Sequence, residues 1–242
     1  MEPASAVVRF PSNGSTKRAG TSLPSAICAV PPAAIPELHL ADDASVLVLD
    51  RFDLKADGTY MGFEDACALL EHSSSEKYED SYEIRASKLF AVLRGNAQDM
   101  RQFFKSITLS MMVRNGDAHL KNFGVLYDDP AKAIRLAPCY DVITTAIYVP
   151  NEDPALTMEW RKRWPDKKTL LKYGRQRCQL DPKDAREAIE EVAQGESGTR
   201  GKFAEANMPA AVALQMRDAW EEGLTQIAGS GYGDWNRAYP VA

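Results

Sequence analysis

The sequence has few of the residues that build zinc centres and disulfide frameworks. Its 242 residues include four cysteines and three histidines, and no two cysteines form a C-x-x-C pair. A structural zinc site needs four such ligands at short spacing, so this pattern argues against one. The wide cysteine spacing also argues against disulfides, which persist in oxidising compartments. We therefore expect a cytoplasmic protein.

Positive net charge and long apolar runs are also absent. The chain carries 29 basic and 34 acidic side chains, a formal charge of −5, so no net positive field attracts it to nucleic acid or an anionic membrane. No apolar run approaches the roughly 20 residues of a membrane span, and the N-terminus does not have a signal-peptide layout. We expect no direct nucleic-acid binding and no membrane association.

What is present is the composition of a globular protein with a core: 45% of the residues are hydrophobic and 26% are charged.

The beginning of the chain is β-rich. Short runs at 6–10 (AVVRF) and 46–50 (VLVLD) predict strands of a small sheet. The stretch 11–36 between them is dense in Pro, Gly, Ser and Thr, which predicts a loop.

Helical patterns dominate the remainder. Apolar spacing predicts a buried helix over 99–113, and the prolines at Pro182 and Pro209 open two further helices. Two β-like runs, 123–127 and 133–137, flank a turn-prone Asp-Asp-Pro and predict a hairpin. Together the patterns predict an α+β fold.

Between the buried helix and the hairpin lies the polar segment 115–122, N-G-D-A-H-L-K-N. Phosphoryl transfer needs a carboxylate near the acceptor hydroxyl and oxygen ligands that hold Mg²⁺ against the nucleotide phosphates. Asn122 follows Asp117 by five positions, the Asp-to-Asn spacing of a kinase catalytic loop, and Asp141 lies 19 positions further on, across the hairpin. This spacing predicts one catalytic base and two metal ligands.

His119 and Lys121 add hydrogen-bonding or positive groups where a transferring phosphate brings negative charge. Two other interpretations stay open. An N-G-D-A-H segment is also compatible with a plain turn. A metal-dependent phosphoesterase built on Asp117, His119 and Asp141 is weaker, because such a site usually has more His or carboxylate ligands.

These residues resemble the HipA-like serine/threonine kinases of bacterial toxin–antitoxin systems. The resemblance covers roughly residues 5 to 195. The matching stretches are VVRFPS (7–12), AIPELHL (34–40), VLDRFD (48–53), RNGDAHLKNFGVL (114–126) and LAPCYDVITT (136–145). It implies a two-lobed protein-kinase-like fold with a truncated β-rich N-lobe over 1–55 and a mainly helical C-lobe over 56–242.

The resemblance also implies the site and its cofactors, ATP and Mg²⁺. Asp117 matches the catalytic aspartate, with His119 and Lys121 in the same loop, and Asn122 and Asp141 match the two Mg²⁺ ligands.

The nucleotide-binding positions follow from the same resemblance. Residues Leu49, Asp50, Arg51 and Phe52 match the hinge strand whose backbone meets adenine, although the family usually has Glu where this chain has Asp50. Arg9 stands where the family has a Lys that pairs with the nucleotide phosphates.

Two departures bear on activity. Arg keeps the charge of Lys but brings a planar fork, so Arg9 is not a neutral replacement at a phosphate site. The family's Gly-rich phosphate loop has no counterpart before the strand that carries Arg9, and residues 13–33 do not match the acidic helix that follows it. The expectation is an N-terminally shortened relative whose activity is low or absent, unless a partner chain completes the lobe.

Two function hypotheses result. The first is an ATP- and Mg²⁺-dependent protein serine/threonine kinase, and the resemblance implies a protein substrate such as an aminoacyl-tRNA synthetase and a helix-turn-helix antitoxin partner. The alternative is a pseudokinase or remnant that serves as a binding module in a toxin–antitoxin complex. Binding of ATP without turnover would distinguish the second from the first.

Overall fold

Two three-stranded antiparallel sheets and six α-helices make up the part of the chain that the structure, a computed structural model, describes: residues 5–11, 36–41, 44–149, 151–203 and 210–229. Side chains are described from Arg51 onward, and also for Leu49, except at 199–203. Most of the predicted loop at 11–36 lies outside these residues.

The first sheet contains β1 (Ser5–Pro11), β2 (Pro36–Ala41) and β3 (Ala44–Asp50), in the order β1-β3-β2. β1 and β3 are the two strands predicted from the sequence. The central strand β3 pairs on both sides, so that Leu49 lies opposite Ala6 on one neighbour and Pro36 on the other.

The second sheet contains β4 (Gly62–Asp65), β5 (Gly124–Tyr127) and β6 (Ile134–Leu136), in the order β4-β5-β6. Strands β5 and β6 form the predicted hairpin. β4 was not predicted, because a four-residue strand whose partner is about 60 positions away leaves little local signal. The sheet places the hairpin next to the chain that enters the helical part.

The helices are α1 (Ala66–Leu69), α2 (Tyr82–Val92), α3 (Ala97–Met112), α4 (Lys167–Arg177), α5 (Pro182–Phe203) and α6 (Ala210–Ala228), with 3₁₀ turns at Ser74–Glu76 and Leu120–Asn122. Short polar side chains start several of them. Asn96 accepts hydrogen bonds from the first-turn amides of α3, and Asp166 and Ser81 cap α4 and α2. No helix among the described residues is long and apolar enough to cross a bilayer.

Helix α3 lies at the centre of the core and confirms the predicted helix at 99–113. Met100, Phe103, Phe104 and Ile107 on it are fully buried, and α3 packs against α5 and α6. Burying side chains of this size stabilises a fold by about 1.5–3 kcal/mol each. The helix ends at Met112, and Arg114, two residues further on, has a positive φ of 55° that turns the chain out of the helical path. The core thus fixes the point at which the polar segment 115–122 begins.

Candidate active site

The backbone of the polar segment is held by the chain that follows Asp141. The Gly116 amide donates to Thr145 Oγ1 at 2.6 Å, and the Thr145 amide donates to the Arg114 carbonyl at 3.2 Å. The Thr145 hydroxyl in turn donates to the Glu152 carboxylate. Both Gly116 and Thr145 are buried, so these bonds are shielded from water.

Asp117 is half-buried, and its amide and its carboxylate both make hydrogen bonds. Its amide donates to Asn115 Oδ1 at 3.1 Å, which fixes the turn. Its carboxylate oxygen Oδ1 accepts a hydrogen bond from the Tyr78 hydroxyl at 2.6 Å. The carboxylate therefore lies within hydrogen-bonding distance of a hydroxyl group, the geometry that a general base needs.

Asn122 and Asp141 are in direct contact, as their spacing across the hairpin predicts. Asn122 Nδ2 donates to Asp141 Oδ2 at 2.7 Å, and Asn122 Oδ1 accepts the His119 amide at 3.0 Å. Asp141 has a positive φ of 55°, and its carbonyl oxygen accepts a hydrogen bond from Asn115 Nδ2 at 3.4 Å. This unusual backbone conformation of Asp141 is supported from the loop that carries Asp117.

These two residues fit a Mg²⁺ ion, because carboxylate and amide oxygens are its preferred protein ligands. Asp141 is solvent-exposed, whereas the Asn122 oxygen is occupied by the His119 amide. An amide oxygen has two lone pairs, so this hydrogen bond leaves Asn122 Oδ1 one lone pair for an ion. The described residues contain no group of three or more His, Cys, Asp or Glu placed to hold a metal. Mg²⁺ does not require one, since it usually keeps several waters and binds one or two carboxylates together with phosphates.

His119 is buried, with 6% of its surface exposed, and its Nε2 lies 2.9 Å from Lys77 Nζ. Burial lowers the pKa of His119, the charge of Asp117 opposes this shift, and the charge of Lys77 adds to it. The ring is therefore neutral near pH 7 and accepts a hydrogen bond from the Lys77 ammonium. Arg85, also buried, donates from Nη1 to the His119 carbonyl at 3.2 Å.

Lys121, predicted with His119 as part of the catalytic loop, makes its contact outside the Asp117 turn. Its Nζ donates to Ser74 Oγ at 3.3 Å, and the Tyr140 hydroxyl donates to its carbonyl oxygen. The backbone of Lys121 is thus linked to the residue that precedes Asp141. Its side chain has no described contact with Asp117, Asn122 or Asp141.

The predicted hinge contacts the site through an aromatic cluster. The Phe52 ring packs against the rings of Phe63 and Tyr140, with centroid separations of 5.6 and 5.5 Å. Arg51 forms an ion pair with Asp53, and its guanidinium lies over the Tyr60 ring. The hinge, the second sheet and the chain entering Asp141 therefore share one packed cluster.

The remaining predicted nucleotide contacts are described through the backbone. Arg9 lies on β1 opposite Val46, and Asp50 is the last residue of β3 opposite Ser5. The side chains of Arg9 and Asp50 lie outside the described part of the structure. Leu49 is half-buried on the central strand.

Several residues of the site were not found from the sequence, namely Lys77, Tyr78, Arg85, Thr145 and Glu152. Burial raises the pKa of Glu152, and the charge of Asp117 raises it further, while the hydrogen bond from Thr145 lowers it. Thr145 lies inside the matched stretch 136–145, which is a signal that could have drawn attention to it. Tyr78 lies 39 positions before Asp117, and no local pattern connects the two.

Comparison with solved structures defines the class of the fold. A chain of the Shewanella oneidensis MR-1 complex of the toxin–antitoxin proteins HipA and HipB with operator DNA is similar with a TM-score of 0.69 and 14% identity, over 90% of this chain and 56% of that one. The Helicobacter pylori proinflammatory kinase CtkA is similar with a TM-score of 0.61 and 13% identity, over 96% and 90%. The chain has the α+β, kinase-like fold expected from its sequence.

The family follows from the sequence comparison. The family model described as "HipA-like C-terminal domain" matches residues 26–198, and the chain belongs to this family. Two curated relatives come from Sinorhizobium fredii: "Putative kinase Y4dM", 28% identical over 51% of this chain, and "Putative kinase Y4mE", 32% identical over 52%. The aligned parts cover 29% and 31% of those proteins, less than a third of their length. The predicted resemblance is confirmed.

Proposed function

We propose that this chain is an ATP- and Mg²⁺-dependent protein serine/threonine kinase in which Asp117 is the catalytic base. The observation that carries the proposal is the position of the Asp117 carboxylate. It accepts a hydroxyl hydrogen bond at 2.6 Å, and it lies in the same loop as Asn122, which contacts Asp141 from across the hairpin.

Asp117 would orient the acceptor hydroxyl and take its proton as the hydroxyl oxygen bonds to the γ-phosphorus of ATP. The bond from that phosphorus to the β–γ bridging oxygen would break, and ADP would leave with the electron pair. Such transfer depends on positioning and electrostatic stabilisation more than on covalent work by the protein. The hydrogen bonds of Asn115 and Thr145 to the Asp117 turn provide that positioning. His119 remains neutral, so it adds no positive charge that would pair with the Asp117 carboxylate and lower its basicity.

Asp141 and Asn122 would hold Mg²⁺, which, when bound, neutralises the charge of the β- and γ-phosphates. The protein's own contribution is to keep the Asp141 carboxylate exposed and in contact with Asn122, while the Asp141 backbone is fixed by Asn115. Lys121 lies at the edge of this arrangement, and its role there is to hold the Ser74 turn.

The nucleotide would bind between two regions, an N-lobe over 1–55 and a C-lobe over 56–242. The backbone of residues 49–52 would contact adenine. The packing of the Phe52 ring on the Tyr140 ring would connect this contact to Asp141, the residue that follows Tyr140. Arg9 on β1 would pair with the phosphates.

The family and the solved complex suggest partners. One structural neighbour assembles with HipB and operator DNA, so we propose that an antitoxin of the helix-turn-helix type binds this chain. The acceptor would be a cytoplasmic protein, with an aminoacyl-tRNA synthetase as the first candidate to test.

The test is phosphate transfer from γ-labelled ATP with Mg²⁺, followed by mass-spectrometric mapping of phosphoserine and phosphothreonine. The Asp117→Asn variant should lose transfer by about 10³-fold or more, because positioned proton transfer and orientation are both removed. Its circular dichroism spectrum should match the parent. A variant with full activity would refute the assignment of Asp117.

A second function, nucleotide or partner binding without chemistry, is favoured by one observation, the Arg at position 9 in place of Lys. Calorimetric titration with ATP and Mg²⁺ decides between them. Binding without any release of ADP would support the pseudokinase, whereas ADP release would support the kinase.

A further inference from the structure

The hydroxyl group that donates a hydrogen bond to the Asp117 carboxylate belongs to a tyrosine of this chain, Tyr78. Tyr78 Oη donates to Asp117 Oδ1 at 2.6 Å, the separation expected between a catalytic base and its acceptor hydroxyl. The Tyr78 side chain is 44% exposed, so its ring lies at the mouth of the site and is not part of the core. A second partner for its hydroxyl is not found among the described residues.

The segment that carries Tyr78 is attached to the catalytic loop at two adjacent points. The Leu120 amide donates to the Lys77 carbonyl at 3.1 Å, and Lys77 Nζ lies 2.9 Å from His119 Nε2. The Tyr78 ring meets the His119 ring edge to face, with the centroids 5.2 Å apart. The Tyr78 side chain therefore reaches Asp117 from a backbone segment that is itself bound to the 115–122 loop.

Burial and the neighbouring negative charges keep the phenol in its protonated, donating form. Burial, the hydrogen bond to Asp117 and the charges of Asp117, Glu152 and Asp141 raise the pKa of Tyr78 to about 12. At neutral pH the hydroxyl thus resembles a substrate alcohol, which also reaches the base as a neutral donor.

We propose that Tyr78 is an intramolecular phosphoacceptor of this kinase. The inference rests on the proposed function, since it uses ATP as the phosphoryl donor and Asp117 as the base. It extends the acceptors of that kinase from serine and threonine to one tyrosine that is already held at Asp117. A bond forms between Tyr78 Oη and the γ-phosphorus, the bond from that phosphorus to the β–γ bridging oxygen breaks, and ADP leaves with the bond's electron pair. The phenolic proton passes to Asp117.

The modification changes the charge of the site. A phosphotyrosine carries nearly two negative charges and would face the carboxylates of Asp117, Glu152 and Asp141. Repulsion should displace the modified side chain from Asp117 and leave the base open to an external acceptor. Self-modification would then precede phosphorylation of another protein.

The experiment incubates the full chain with Mg²⁺ and γ-labelled ATP, measures ADP release, and maps phosphate by peptide mass spectrometry. The parent should carry phosphate on Tyr78, and Tyr78→Phe and Asp117→Asn should each lose this label. Tyr60→Phe is the matched control, because Tyr60 is an exposed tyrosine, 58% exposed, and it should keep the label on Tyr78.

An intramolecular reaction predicts a further result. When the parent is mixed with Asp117→Asn chains that carry a heavy-isotope label, Tyr78 of the heavy chains should stay unmodified. Phosphate on the heavy chains would overturn the intramolecular assignment.

A failure of the Tyr78 inference can be distinguished from a failure of the proposed kinase function. ADP release with phosphate on other residues and none on Tyr78 would overturn this inference and leave the proposed kinase function standing. Neither ADP release nor phosphate on any residue would overturn both.

Discussion

At the scale of single residues, the position of the polar segment 115–122 depends on one threonine hydroxyl. Thr145 Oγ1 accepts the buried Gly116 amide and donates to Glu152, and the Gly116 backbone leads directly into Asp117. Space is short at this point, since a Cβ on Gly116 would lie 2.3 Å from the Glu152 carboxyl carbon. Thr145 therefore links the loop to the segment that follows Asp141 in a place where water cannot substitute.

Replacing Thr145 with Val should lower the free energy of unfolding by about 1–3 kcal/mol, because a buried amide is left without an acceptor. Phosphate transfer should fall as well, since the Asp117 turn becomes less rigid. Urea denaturation measures the first effect. Thr145→Ser keeps the hydroxyl and is the control. A valine variant that unfolds at the parent's urea concentration would show that the hydroxyl contributes no stability.

His119 makes the free energy of unfolding depend on pH, and the direction of this dependence follows from the shift of its pKa. Its folded-state pKa is lowered by burial and by Lys77, while an unfolded chain has the ordinary value of about 6.5. The unfolded state therefore binds more protons once the pH falls through that value, and stability is lost. The stabilisation of the neutral ring is fully present above about pH 7.

We expect the free energy of unfolding to decrease between about pH 7 and pH 5.5, with a smaller decrease in His119→Gln. Glutamine still offers Lys77 an acceptor but does not titrate. Other groups titrate equally in both chains, so the difference between the two stability curves isolates the histidine. Parallel curves for the parent and the variant would contradict the shift.

At the scale of elements, the contact between α3 and α6 determines where the site begins. A Cβ on Gly223 of α6 would lie 2.1 Å from the Met112 carbonyl oxygen at the end of α3. Only two residues separate Met112 from Asn115. The glycine therefore permits the close approach of two helices just before the polar segment.

Gly223→Ala should destabilise the fold by about 1–3 kcal/mol, because the added methyl group meets backbone that cannot move aside. Gly198→Ala is the matched control. Gly198 lies on α5 with no heavy atom within 4 Å of its added Cβ, so alanine there should stabilise the fold by about 0.5–1 kcal/mol through helix propensity. Thermal unfolding measures both, and shifts of the same sign would contradict the packing argument.

At the scale of the whole molecule, the two sheets share no strand among the described residues. Strands β1, β2 and β3 pair with one another in one sheet, and β4, β5 and β6 pair with one another in the second. This separation is the reason to propose the division at residue 55.

Removal of residues 1–48 should therefore leave a helical unit that unfolds cooperatively, as followed by circular dichroism, while ATP binding measured by calorimetry is lost. Retention of Phe52 in the shortened chain keeps the aromatic cluster with Phe63 and Tyr140 intact. A shortened chain without cooperative unfolding would show that the proposed division is wrong.

Local signals in the sequence determined much of the fold. The apolar spacing of α3, the prolines that open α5 and α6 and the turn between β5 and β6 each act over a few residues, so they were predictable. The spacing of Asp117 and Asn122 is local too, and the hairpin returns Asp141 to Asn122 over only 19 positions.

Tertiary structure decided what surrounds those residues. The contact of Tyr78 with Asp117, the support of Gly116 by Thr145 and the burial of Arg85 beneath His119 join positions 29 to 39 apart in sequence. Such contacts arise when separately formed elements pack on one core, and no short-range periodicity encodes them. The residue types and local spacing of the candidate site could therefore be predicted from the sequence, whereas the contact of the Tyr78 hydroxyl with Asp117 was determined by packing.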